Sequence, residues 1–243
     1  MKRPFLFAAF FMLVALLPMG MMQRVLEDAC FQPAGFKSPV LQAEFQVSKQ
    51  QVLDLYGVGN TPARAARTEQ MRRAHFYDNL FLCFYGLFLA IFAVQGFRLT
   101  HLWHFMLMIL LAVAAACADF IENNAIVAIT YAVDAGAPDF SEMIDCLAFF
   151  TWLKWLSLGL YFGVLTRFFW QSARWGNLPG WLGKVLAGAS LIVCFVAFSA
   201  FLTRDAVWEN RMAQAITVMF TALFLFSLLY RVRPAGAKAG GTR

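Results

Sequence analysis

Charge is scarce in this sequence. Asp, Glu, Lys and Arg supply 14% of its 243 residues, where an ordinary soluble domain carries about a quarter. Cysteine is sparse too: Cys30, Cys83, Cys117, Cys146 and Cys194 include no C-x-x-C pair, so neither a disulfide framework nor a thiolate zinc site is supported. The chain lacks a P-loop, a G-x-S-x-G and an H-E-x-x-H, which leaves ATP-driven transport, α/β-hydrolase chemistry and zincin proteolysis without their residues. It lacks the E-x-x-H of di-iron bundles. It also has no D-x-x-D-G run or second Asp-rich motif, as magnesium-dependent transfer to lipids would need. His75 falls at the opposite end of the second apolar block from His101 and His104, so the three read as interfacial histidines. No metal or cofactor is expected.

What fills the sequence is apolar. Hydrophobic residues make up 61% and mean hydropathy is +0.63, a balance that points to lipid as the solvent. A helix rises about 1.5 Å per residue and a bilayer core is about 30 Å thick, so about 20 apolar residues make one span. Six blocks qualify: Phe5–Met22, Phe76–Phe97, His101–Ala118 and beyond, Ile144–Trp170, Trp181–Thr203 and Met212–Tyr230. The fold class expected is an all-α membrane protein, a six-helix transmembrane bundle. Residues 1–22 form the first helix or signal anchor and 23–75 a small extracytoplasmic segment. Residues 76–232 form a five-helix domain and 233–243 a disordered cytoplasmic tail. No A-x-A-like cleavage site follows the first block, which favours an uncleaved anchor over a signal peptide.

The net charge of +6 does not mark a nucleic-acid binder, because Lys and Arg flank the apolar blocks and form no basic stripe interleaved with aromatics. The expected partner is the lipid bilayer, with a small-molecule or lipid ligand. Lys2, Arg3, Arg98, Arg167, Arg174, Lys184, Arg231, Arg233, Lys238 and Arg243 all fall on one side if both termini are cytoplasmic, whereas the loop from Asp134 to Glu142 has no Lys or Arg. The bias of Lys and Arg towards the cytoplasm therefore places both ends inside, in a bacterial inner membrane. No internal repeat of the kind many secondary transporters carry is visible.

Within the segment before the second span, Leu41, Ala43, Phe45 and Val47 alternate with polar residues as a half-buried strand would. Ser48-x-x-Gln51 resembles a capping box that opens a short helix ending at Gly57. Thr61-Pro62 reads as N-cap and first helical residue of a helix that continues unbroken into the second span. Arg64, Arg67, Arg72 and Arg73 lie along it, either as a solvated face near lipid phosphates or as an anion-binding group.

Ionisable residues inside spans cost a few kcal/mol or more and normally face the bundle interior. Lys154 has no nearby helix end to snorkel to, Asp119, Glu122 and Asn123 share one helix face, and Asp78, Asn79 and Tyr85 belong to the second span. Counted from the cytoplasmic boundary at 1.5 Å per residue, Tyr85, Asp119 and Lys154 lie roughly 20 to 24 Å up, and Asp78, Asn79, Glu122 and Asn123 roughly 28 to 30 Å. An outward-facing polar pocket between spans two, three and four follows, with Lys154 neutralised by Asp119 or Glu122. Three readings fit it: an ion pair that fixes packing, a ligand, ion or proton pathway, and an active site on a lipid-linked substrate using a carboxylate base. Non-catalytic binding is preferred. An accessory or assembly subunit is a further alternative. Gly159 and Gly163 form a G-x-x-x-G in span four, a hint of close helix packing.

The pattern Asp78-x-x-Phe81-x-x-x-Tyr85, Asp119-x-x-Glu122-Asn123 and Lys154, preceded by Glu44-x-x-x-Ser48 and Tyr56, resembles an uncharacterised family of bacterial multi-pass membrane proteins. The resemblance covers roughly residues 40 to 165. It implies a shared architecture and marks Asp78, Asp119, Glu122, Asn123 and Lys154 as positions to test; no activity comes with it.

Overall fold

The structure, a computed structural model, describes residues 2–27, 31 and 35–232, apart from the side chains of Ala173 and Trp175. Cys30 and the tail expected from 233 onward lie outside the described residues. Within them the chain forms helices α1 (Leu6–Glu27), α2 (Pro39–Glu44), α3 (Lys49–Tyr56), α4 (Pro62–Thr100), α5 (His104–Asp134), α6 (Ser141–Trp175), α7 (Gly180–Thr203) and α8 (Ala206–Leu229), and no strand. Six of these, α1 and α4 to α8, are long and apolar enough to cross a membrane. The chain is a multi-pass membrane protein.

Local sequence explains the segment before the second span. The Ser48 hydroxyl accepts from the Gln51 amide at 3.3 Å, as a capping box requires, while the Gln51 Oε1 accepts from the Val47 amide at 2.8 Å, one residue before the Ser48 amide it was expected to meet, and α3 stops at Gly57 with φ +102°. Thr61 caps α4 through Arg64 N, and Pro62 stands in the first turn, where its missing N–H costs nothing. At 39 residues, α4 is about 58 Å long by helical rise, so its first turns stand outside any bilayer.

The strand expected over Leu41–Val47 is absent: Leu41–Glu44 end a helix, and residues 45–47 are turn and irregular backbone. Ser38 accepts from Leu41 N, Pro39 supplies the preset first turn, and the chain coils over Pro39–Glu44. Residues 40 to 46 are all buried, while Val47 is exposed. The alternation therefore did not mark one wet face: α2 is enclosed by the bundle on every side.

The helices pack in series, α1 on α4, α4 on α5, α5 on α6 and α6 on α7, with comparable closeness at each step, and α8 lies on α7 and α1. The α6–α7 contact uses the G-x-x-x-G: a Cβ at Gly159 would stand 2.6 Å from the Ala197 Cβ, and one at Gly163 3.0 Å from the Cys194 sulfur. Gly159→Val should therefore lower the stability of the detergent-solubilised protein by about 1–3 kcal/mol through overpacking. An unchanged melting temperature would show that α7 can slide away freely.

At the opposite end of α6, Phe5 stacks on Phe92 at 4.3 Å between centroids and lies within 6 Å of Phe168, Phe226 and Tyr230. Isolated antiparallel bridges join Val232 to Lys2 and to Gly176. Both described ends of the chain thus lie on one face of the bundle, as an even number of spans requires.

Candidate functional site

Lys154, from the middle of α6, has only 4% of its side chain exposed, and its ammonium meets three carboxylates: Glu44 Oε1 at 3.1 Å, Asp119 Oδ1 at 3.2 Å and Glu122 Oε2 at 2.5 Å. Asp119 and Glu122 come from one face of α5, as their spacing dictates, and Glu44 from the last residue of α2. The surrounding hydrogen bonds are directed at the carboxylates. The Tyr85 hydroxyl donates to Asp119 Oδ2 at 2.6 Å, the Thr151 hydroxyl lies 2.7 Å from Glu122 Oε1 and 3.0 Å from the Glu44 carbonyl, and Trp155 Nε1 donates to Glu44 Oε2 at 3.0 Å. The Lys154 ammonium also sits 5.0 Å from the centroid of the Trp155 ring.

Asn123 Nδ2 donates to Asn79 Oδ1 at 3.2 Å, and Asn123 is also hydrogen-bonded with the buried Asp78. The seven residues singled out from sequence therefore do come together. The two levels expected are not separate: Glu122 belongs to the Lys154 centre, while Asp78, Asn79 and Asn123 flank it.

Glu44 is the member of the cluster that the sequence reading leaves out: the resemblance includes it, but the alternation assigns it to a strand of the extracytoplasmic segment, where an acidic side chain has an easy route to water. The available signals were an acid set among Val40, Leu41, Ala43 and Phe45, and its place in Glu44-x-x-x-Ser48. Burial raises the Glu44 carboxyl above its ordinary range; the Lys154 ammonium opposes this, and the charge of Asp119 adds to it.

α2, which the pocket expected between spans two, three and four did not include, lines it through Glu44. Glu44 stands between two cavities. One of about 220 Å³ lies towards α3 and is lined by Glu44, Gln46, Thr151, Arg204 and Glu209 among others; the second, of about 130 Å³, is lined by Glu44, Asp78, Tyr85, Asp119, Lys154 and Phe220 among others. α8 closes the second one through Ile216, Thr217 and Phe220.

Two histidines depart from the interfacial reading. His75 is 1% exposed, with Nδ1 hydrogen-bonded to the Met71 carbonyl at 2.8 Å, and His104 is 6% exposed; His101 is the exposed one, at the left-handed C-cap of α4. Of the α4 arginines, Arg72 is paired with Asp134 at 2.7 Å and with Glu69 at 3.1 Å, and Arg73 with Glu69 at 2.8 Å, so these two are committed to carboxylates of the protein. Among the described residues no set of His, Cys, Asp and Glu is arranged to hold a metal ion. The centre on which the carboxylates converge is taken by the lysine ammonium. Comparison with known protein families, curated proteins and solved structures gives no match.

Proposed function

We propose that this protein binds and releases protons at the Glu44–Asp119–Glu122–Lys154 cluster, and that the cluster is the coupling centre of a multi-pass carrier for a small solute. The observation that carries the reading is a mismatch of charge: three carboxylates contact one ammonium, all in a site with almost no access to water. Fully ionised, the group would hold two uncompensated negative charges in a low dielectric, a costly arrangement. Protons or a passing cation are the means of balance. A pair built only to fix helix packing needs one carboxylate for one lysine. The cavities on either side of Glu44 supply a route to it from the α3 end, and the excess of Lys and Arg at the termini side supports that end lying outside a bacterial inner membrane.

The test is infrared spectroscopy of the reconstituted protein across a pH titration. Protonated carboxyl bands should change with pH in the wild type, and Glu122→Gln and Glu44→Gln should each remove part of that change while the protein stays folded. In proteoliposomes with an imposed pH gradient, the same variants should slow dissipation by tenfold or more, about 1.4 kcal/mol in the barrier. A packing role is favoured by the complete burial of Glu122. If the carboxyl bands do not titrate in the wild type, the packing reading replaces ours.

A further inference from the structure

At the other end of the bundle, a groove of about 450 Å³ runs between the start of α5 and the last third of α6, lined by His104, Gly163, Val164, Thr166, Arg167 and Trp170. It shares no residue with the carboxylate cluster and does not depend on the function proposed above. His104 is the first residue of α5 and only 6% exposed, yet neither of its ring nitrogens has a hydrogen-bond partner. A buried imidazole with both nitrogens unmatched is costly unless something outside the chain meets it.

The Thr166 hydroxyl is likewise buried and unmatched, although a helical threonine can ordinarily bond back to the preceding turn. Arg167 is exposed beside them, and no ion pair to it is found among the described residues. The N-cap of α5 is Trp103, which offers no side-chain oxygen to the first turn, so the positive end of that helix dipole also points here. On the rim, the Lys184 ammonium lies 5.7 Å from the centroid of the Trp170 ring.

Every polar group in the groove is thus a cation or a donor, or can become one, and no carboxylate lines it. The remaining lining, Gly163, Val164 and the exposed Trp170, is apolar and belongs to a span. We propose that the groove binds an anionic phospholipid, with the phosphate held by Arg167, His104 and the Thr166 hydroxyl and an acyl chain lying along Gly163 and Val164. Arginine suits phosphate through its forked donors, and a tryptophan at the headgroup level is where indole rings settle.

Native mass spectrometry of the full-length protein tests this, using phosphatidylglycerol, phosphatidylcholine and inorganic phosphate at matched concentrations. The wild type should retain phosphatidylglycerol in preference to phosphatidylcholine. Arg167→Gln and His104→Phe should each reduce that preference about tenfold, the size of one charge-assisted hydrogen bond. Arg174→Gln, which removes an exposed charge at the same end but outside the groove, should leave it unchanged. The proposal is overturned if the two groove variants keep the wild-type preference, if Arg174→Gln lowers it equally, or if inorganic phosphate displaces the lipid, which would make the ligand a free anion.

Discussion

Lys154→Met is expected to cost about 3–5 kcal/mol of stability, the loss typical when one partner of a buried ion pair is removed. The methionine fills much of the same volume, so cavity formation contributes little; the damage is electrostatic. Glu44, Asp119 and Glu122 would face one another, nearly buried, without the ammonium that all three contact. Thermal unfolding in mild detergent, followed by the fraction that stays monodisperse, reads this directly.

A double variant separates electrostatics from shape. Adding Glu122→Gln to Lys154→Met removes the most deeply buried of the three carboxylates and should return part of the loss, with a coupling energy well above the scatter expected for independent sites. Strict additivity would mean that the charges in the cluster do not sense one another, contrary to their distances.

Glu44→Gln should change how stability depends on pH. Burial raises the Glu44 carboxyl, so between the ordinary glutamate value and the raised one the folded chain holds a proton that the unfolded chain has released. In that window stability falls as pH rises, because folding must retain the proton or strand a charge. A glutamine holds a neutral amide at every pH. Melting temperatures of the wild type should therefore decline as pH climbs above the glutamate range, and the variant should decline less steeply. Parallel curves would show that Glu44 is not the group responsible. The same substitution leaves the Trp155 indole with an amide oxygen to donate to, which limits any purely structural loss.

The membrane architecture was legible because span length and hydropathy act residue by residue and need no knowledge of neighbours. The cap residues Ser48 and Thr61 were legible for the same reason. The positions of Asp119, Glu122 and Lys154 could be reached from helical periodicity, since a long helix carries phase and height along its sequence. α2 could not. Its six residues are too few for a period to declare itself, and its shape is set by Ser38, Pro39 and burial against the spans. Glu44 therefore came with no height assigned, and a residue that completes the centre looked like part of a surface segment. His104 was hidden by the opposite effect: helix-end position suggested contact with water, but the ring stacks on Phe105, with centroids 4.8 Å apart, and is almost wholly covered.

The seat of Phe5 bears on how the chain is assembled during synthesis. The residues that grip it are Phe92, Phe168, Phe226 and Tyr230, and the last two come from the end of α8 and its cap. α1 leaves the ribosome well before α8 and can enter the bilayer ahead of it, but Phe5 gains Phe226 and Tyr230 only when α8 has been made. Until then α1 rests chiefly on α4, with Phe5 also against Phe168 of α6. Closure is thus a late event, and an arrested chain that ends before α8 would expose an apolar socket to any factor that attends membrane insertion.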